Sequence, residues 1–144
     1  MSLLEVTDLT TIKLYYELKK TGEDQKLIIL DDKKAQDLLL EPEEQGRVEV
    51  LETKWSSLRW KDQNEIMAIA NKNVDPISGE RQFDFIVYRD SIIKRCLKSW
   101  NIKVDGQDTP VSAANIDKLP ASIVVKLYDK YNDIISYTED ESKN

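Results

Sequence analysis

The chain has 144 residues, the length of one typical domain, with a net charge of −6, a single cysteine and no histidine. A single cysteine excludes an intramolecular disulfide and a cysteine-based zinc site. The lack of histidine excludes any catalytic triad or proton shuttle that depends on it. The net acidity also argues against a general phosphate-binding surface, which needs clustered Lys and Arg.

The N-terminal region begins with a strand-like pattern. Residues 11–18 place apolar side chains at every second position, as in a half-buried strand. A polar turn at residues 19–24 and the apolar run 27–30 follow, so the sequence favours a β-hairpin. A helix beginning at Asp8 also fits the spacing of the apolar residues.

A second group of elements follows the predicted hairpin. Residues 31–40 are predicted to form a short helix, which Pro42 and Gly46 would end. Alternating residues over 48–55 predict a third strand. Residues 1–56 are therefore interpreted as a β-rich arm or subdomain, because a lone hairpin would be marginal without something to pack on.

From Ser57 the apolar period changes to that of a helix. Ser56 or Ser57 is expected to cap its start. The residues at 71–79 are rich in turn formers and predict a loop. The predicted buried side of this helix consists of Leu58, Ile66, Met67, Ile69 and Ala70.

The strongest pattern in the sequence predicts a central core helix of about 18–20 residues that ends near Trp100. Its apolar stripe consists of Phe85, Tyr88, Ile92, Cys96 and Trp100. Because Cys96 lies in this stripe and no histidine can act as its base, it is interpreted as a buried structural thiol.

The C-terminal region reads as a turn at residues 105–106, one helical turn at 113–116 and a last helix. Pro120 suits an early helical position, where its missing N–H costs nothing. The predicted apolar line of the last helix is Ile123, Leu127, Tyr131 and Ile134, with Val124, Tyr128 and Ile135 beside it.

The predicted fold class is α+β. An N-terminal β-hairpin or small antiparallel sheet in residues 1–56 precedes an α-rich domain of three to four helices in residues 57–137. Residues 138–144 are polar and acidic and are expected to form a disordered tail.

No catalytic residue, cofactor site or metal site is predicted. The carboxylates Asp31 and Asp32, like Asp105 and Asp108, lie in predicted turns and lack the order of a calcium loop. Hydrolysis by two carboxylates needs them held across a substrate, which nearness in sequence does not provide. The glycines are isolated, whereas a phosphate-binding loop needs them closely spaced before a helix.

Arg89, Lys94, Arg95 and Lys98 make the predicted central helix basic within an acidic protein. Such a face is usually only solvated. The alternative is a docking face for an acidic segment of a partner protein. Nucleic acid is disfavoured, because stacking aromatics would then interleave with the basic residues. Trp60, among charged neighbours, is a candidate anchor at such an interface.

A series of motif residues runs through about residues 55–135. They are Trp55 and Leu58, Gln63, Glu65 and Ile66, Leu97 to Trp100, Asp105 and Gly106, Pro110 to Ser112, Asn115 and Ile116, and Leu119 and Pro120. Their order resembles that of the tail assembly chaperones of tailed bacteriophages, in which a phrase of the form W-x-(short turn)-D-G-x-x-x-P-V-(S/T)-x-x-N-I-x-x-L-P precedes a C-terminal helix.

The resemblance implies a non-enzymatic protein that binds the tape-measure protein and shields its hydrophobic helices during tail morphogenesis. It would act in the cytoplasm of the infected host, and the family supplies no catalytic residues. The alternative is a structural virion component, such as a neck, tail or baseplate protein, whose strands pair with neighbouring subunits. Self-association is compatible with either. A nucleic-acid partner is not expected. A membrane partner is not expected either, since no apolar run is long enough to span a bilayer.

Overall fold

The computed structural model describes residues 2–5 and 7–143, with the backbone alone for residue 45 and residues 136–143. The first elements are strands β1 (Leu9–Thr21) and β2 (Asp24–Leu30), helix α1 (Asp32–Leu39) and strand β3 (Glu49–Ser56). Next come helix α2 (Trp60–Ala70), strands β4 (Asn73–Val74) and β5 (Arg81–Gln82), and helix α3 (Phe85–Cys96). The last are strands β6 (Leu97–Trp100), β7 (Lys103–Val104) and β8 (Gln107–Asp108), and helices α4 (Ala113–Asp117) and α5 (Ala121–Lys143).

The described chain is a mixed α and β structure around an antiparallel sheet in the order β2-β1-β3-β6. The long strand β1 pairs with β2 along its second half, from Tyr15 opposite Leu30 to Thr21 opposite Asp24, and with β3 along its first half. The hairpin prediction is therefore confirmed, and the alternative of a helix beginning at Asp8 is wrong.

The period of two in the strands divides their side chains between two cores. On one face of β1, Ile12 and Leu14 join the main core with residues of α2, α3 and α5. On the other face, Tyr15 packs with Leu30 and with Ala35 of α1 in a second, smaller cluster. Helix α1 thus covers one face of the sheet, and α2, α3 and α5 cover the opposite face.

One buried cluster joins the two predicted parts of the chain. Leu14 and Trp55, which precede residue 57, pack in the main core with Ile66, Ile92 and Leu127, which follow it. Strand β6 also adds to the sheet of the N-terminal part by pairing with β3. The division at residues 56 and 57 stays a prediction, but the segment beyond it is not purely helical.

The predicted central helix is too long. Helix α3 ends at Cys96, and Leu97 turns into extended backbone with φ −70° and ψ 116°. Residues Leu97–Trp100 form strand β6, whose backbone hydrogen bonds go to β3. The error has a simple cause, because Trp100 follows Cys96 by four residues and so continued the helical period by coincidence.

The start of α2 also differs from the prediction. Arg59 occupies the N-cap without a side-chain hydrogen bond to the first turn, so neither Ser56 nor Ser57 caps the helix. Of its predicted buried residues, Ile66 and Ala70 are buried, whereas Met67 and Ile69 are exposed. Ser56 instead belongs to β3, which continues further than the sequence pattern suggested.

The motif residues of the C-terminal region form a tight turn and a helix N-cap. Asp105 and Gly106 both have positive φ, 52° and 77°, and form the two-residue loop between β7 and β8. The hydroxyl of Ser112 accepts from the Asn115 N–H at 3.1 Å and so caps α4. The side-chain amide of Asn115 donates to the Pro110 carbonyl at 2.8 Å.

The last helix carries part of the predicted apolar line. Ile123, Leu127 and Tyr131 are buried, whereas Ile134 is exposed. The predicted disordered tail at residues 138–144 lies outside the residues whose side chains are described. Among the described residues, no helix is both long and apolar enough to cross a membrane.

Candidate functional site

The four basic residues predicted to form one docking face take different positions. Arg95 binds two carboxylates of α2, Asp62 at 2.7 Å and Glu65 at 2.8 Å, so it ties α3 to α2. The hydrogen bonds to Glu65 and Asp62 raise the pKa of the Arg95 guanidinium. The charge of Arg95 is therefore largely neutralised within the chain.

Lys94 makes an equivalent connection between α3 and α4. Its ammonium lies 2.9 Å from a carboxylate oxygen of Asp117 and 3.2 Å from one of Asp90. These two hydrogen bonds raise the pKa of Lys94. Because Asp117 belongs to the short helix α4, this ion pair fixes α4 beside α3.

The remaining residues of the predicted site are Lys98, Trp60 and Arg89. Lys98 is exposed on β6, and Trp60, at the start of α2, is 76% exposed. Lys98 and Arg95 do line the same cavity of about 480 Å³, together with Arg59. The guanidinium of Arg89 lies elsewhere, over a ring of α3. A role for these residues in partner binding stays a prediction.

A different surface, at the start of α3, exposes large apolar side chains. The sequence pattern placed Phe85 in the core stripe and did not include Phe83 or Ile86. Ile86 is 69% exposed, and Phe83 and Phe85 are each 49% exposed. Such residues are individually unremarkable, but a group of them marks an interaction surface more often than chance. Val125 of α5 belongs to the same surface.

Local chemistry fixes the start of α3 and so exposes these residues. Asp84 caps the helix, and its carboxylate accepts from the N–H groups of Ile86 at 3.0 Å and Val87 at 3.2 Å. The N–H of Asp84 itself donates to the Ala70 carbonyl at 2.8 Å. The first turn of α3 is therefore held against the end of α2, with Ile86 pointing away from the core.

Two cavities meet at Ile86. One, of about 230 Å³, lies between α3 and the segment from α4 to α5. The other, of about 340 Å³, lies between the start of α3 and the hairpin of β4 and β5. Because Ile86 lines both, we call the two cavities together the Ile86 groove. The side chains that line the cavity of about 230 Å³ are Ile86, Arg89, Asp90, Ile93, Ile116, Asp117, Leu119, Ala121, Val124 and Val125.

Aromatic contacts hold the side chains beside the groove in place. The ring of Phe85 meets that of Tyr128 edge to face, with centroids 6.1 Å apart. The ring of Phe83 packs against Tyr88 at 5.3 Å. The Arg89 guanidinium lies 5.4 Å from the centroid of Phe85. The apolar surface is thus held in position by packing to the helices behind it.

The thiol of Cys96 and the phenol of Tyr131, which could have suggested catalysis, lie in the core. Cys96 is 1% exposed, and burial raises the pKa of its thiol. Burial likewise raises the pKa of the neighbouring Tyr131 phenol, which donates to the Ser56 carbonyl at 2.9 Å. Within the described part of the chain, no group of three or more metal-binding side chains could hold an ion.

Comparisons with protein-family models, with curated proteins and with solved structures each found no match. The family resemblance of the sequence therefore stays a hypothesis, and the functional argument rests on the Ile86 groove. The sequence pattern did not single out the groove. Phe85 and Ile86 are adjacent and exposed, whereas the equally adjacent Ile92 and Ile93 are both buried in the main core.

Proposed function

We propose that this chain is a non-enzymatic tail assembly chaperone that binds and shields apolar helices of a phage tape-measure protein. The observation that carries this proposal is the Ile86 groove, an apolar depression between helices with exposed Ile86 and Phe85. An amphipathic helix binds such a groove by burying its apolar side chains. The motif that resembles the chaperone family, around Ser112 and Asn115, builds the α4 wall of this groove.

The proposed mechanism is transient shielding. Covering the apolar side chains of the groove would contribute about 25 cal/mol per Å². Because much of this gain offsets the free-energy cost of association, the binding would be weak and reversible. Because the groove is shallow and rimmed by charges, the partner can leave when tail assembly begins. The protein would act in the cytoplasm of the infected host and be absent from finished particles.

Co-expression with a tape-measure fragment tests the proposal. The wild-type chain should keep the fragment in the supernatant, and Ile86→Asp should weaken binding at least about tenfold, since interface anchors carry most of the energy. Ile77→Asp is the matched control, because Ile77 is 95% exposed and does not line the groove. Equal loss in both variants would contradict the groove as the site.

A second candidate function is a structural virion component, such as a neck, tail or baseplate protein. One observation favours it: β2 lies at an edge of the sheet and pairs on one side with β1. An open edge can accept a strand from a neighbouring subunit. Mass spectrometry of purified virions separates the two functions, because stoichiometric amounts in the particle would exclude the chaperone and support this alternative.

A further inference from the structure

The Ile86 groove carries opposite charges on its two flanks. Ile86 and Ile93 are seven residues apart and so lie on nearly the same line of α3, offset by about 20°. Arg89 and Asp90 fall between them and diverge by about 100°. They therefore stand on opposite sides of the line from Ile86, which is exposed, to Ile93, which is buried at the floor of the groove.

The flank toward α5 is positive. The Arg89 guanidinium lies over the Phe85 ring, which itself contacts Tyr128 of α5. No carboxylate of the described residues forms an ion pair with Arg89. The stacking keeps the Arg89 guanidinium at the edge of the groove. It is half-buried there, and its exposed part is what a partner would contact.

The flank toward α4 is negative. Two carboxylates, Asp90 and Asp117, share the single ammonium of Lys94, which leaves a net negative charge. Their side chains are 54% and 62% exposed, whereas that of Lys94 is 27% exposed. The carboxylates thus face a partner more openly than the ammonium between them.

We infer that the groove selects an amphipathic helix of a partner protein with a carboxylate on one flank of its apolar stripe and a cation on the other. This inference rests on the proposed function, which takes that helix from a tape-measure protein. The residues of α3 that line the groove run from Phe85 to Ile93. At about 1.5 Å per residue they offer roughly 12 Å, or two turns, of contact.

The charge pattern also determines the direction of the bound helix. Reversing a helix exchanges its two flanks, so a helix with one acidic and one basic flank matches the groove in a single direction. A helix with two acidic flanks meets repulsion at Asp90 and Asp117. A helix with two basic flanks meets repulsion at Arg89. Like charges brought together at an interface lower affinity and suppress wrong partners.

Three synthetic helical peptides of about 18 residues test the inference. All carry the same leucine stripe, and their flanks are respectively mixed, both glutamate, and both lysine. By fluorescence anisotropy, the wild-type chain should bind the mixed peptide about three- to tenfold more tightly than either of the others. Ile86→Asp should weaken all three, which locates their binding in the groove.

A charge reversal makes the test sharper. Arg89→Glu turns both flanks of the groove negative, so the peptide with two lysine flanks should become the tightest ligand. Lys20→Glu makes the same change in net charge on β1, outside the groove, and should leave the order of affinities unchanged. Far-UV circular dichroism of both variants checks that the helices are intact.

Three outcomes would overturn the inference: no binding of any peptide by the wild-type chain, tightest wild-type binding of a peptide with like-charged flanks, or an unchanged order after Arg89→Glu. The proposed function fails separately. If the peptides follow the expected order but a tape-measure fragment does not bind, the groove selects mixed-charge helices of another protein.

Discussion

Thr53 shows how a single buried polar residue organises the centre of the sheet. It has no exposed surface, and its hydroxyl donates to the Ile12 carbonyl at 2.8 Å. The same oxygen accepts from the indole N–H of Trp55 at 2.7 Å. Trp55 in turn stacks on Tyr131 of α5, with ring centroids 4.8 Å apart. One hydroxyl therefore connects β1, β3 and the helix that covers them.

Thr53→Val keeps the shape of this side chain and removes both hydrogen bonds. The indole N–H of Trp55 would lose its partner inside the core, so the free energy of unfolding should fall by about 2–3 kcal/mol. Urea denaturation followed by circular dichroism measures this loss. Thr11→Val is the matched control at an exposed position of β1 and should change stability by less than about 0.5 kcal/mol.

At the scale of elements, backbone geometry rather than packing determines the hairpin of β7 and β8. Asp105 and Gly106 both adopt positive φ, which suits the two-residue loop that joins strands with the usual twist. A Cβ added at Gly106 would meet no atom within 4 Å. Any cost of substitution there must come from the backbone conformation alone.

Gly106→Ala should therefore destabilise the chain by about 1 kcal/mol, because a residue with a Cβ is strained at positive φ. Gly46→Ala is the control, since Gly46 lies in an equally open position without positive φ. That substitution should be neutral or stabilise by a few tenths of a kcal/mol, through the unfolded chain. Thermal unfolding of the two variants measures the difference, and equal effects would contradict the role of φ.

At the scale of the whole molecule, the pairing of β6 with β3 joins the two predicted parts into one sheet and one main core. Two such parts could unfold independently only by exposing Trp55 and the residues packed on it. A shared core of this kind favours a single cooperative transition.

Urea unfolding should therefore give the same midpoint by tryptophan fluorescence and by far-UV circular dichroism. Trp55 is fully buried and reports on the shared core, whereas Trp60 is 76% exposed. Trp60→Phe removes the exposed reporter and should leave the midpoint unchanged. Two separated midpoints would instead support independent parts divided near residue 56.

Much of the fold was predictable where a local pattern was long or chemically specific. The hairpin of β1 and β2 and strand β3 follow from alternation and turn residues. The helical segments at residues 31–40 and 113–116 were also predicted. The end of α3 was not predictable, because Leu97 to Trp100 satisfy a helical spacing and a strand equally well. Only the presence of β3 beside them decides for the strand.

The candidate site was less predictable than the fold. The basic residues of α3 were visible in the sequence, but their partners were not. Asp62, Glu65 and Asp117 are distant in sequence and reach Arg95 and Lys94 only after the helices pack. The exposure of Ile86 likewise depends on which side of α3 the sheet covers.

The sequence by itself determined the elements whose signals are local: alternation in the strands, turn glycines and most of the apolar line of α5. The tertiary structure alone decided which elements share a core, which charges neutralise one another and which apolar side chains stay uncovered. The physical reason is that burial and ion pairing are relations between distant residues. Ile86 and Ile92 are alike in sequence, yet packing leaves one 69% exposed and the other 4% exposed.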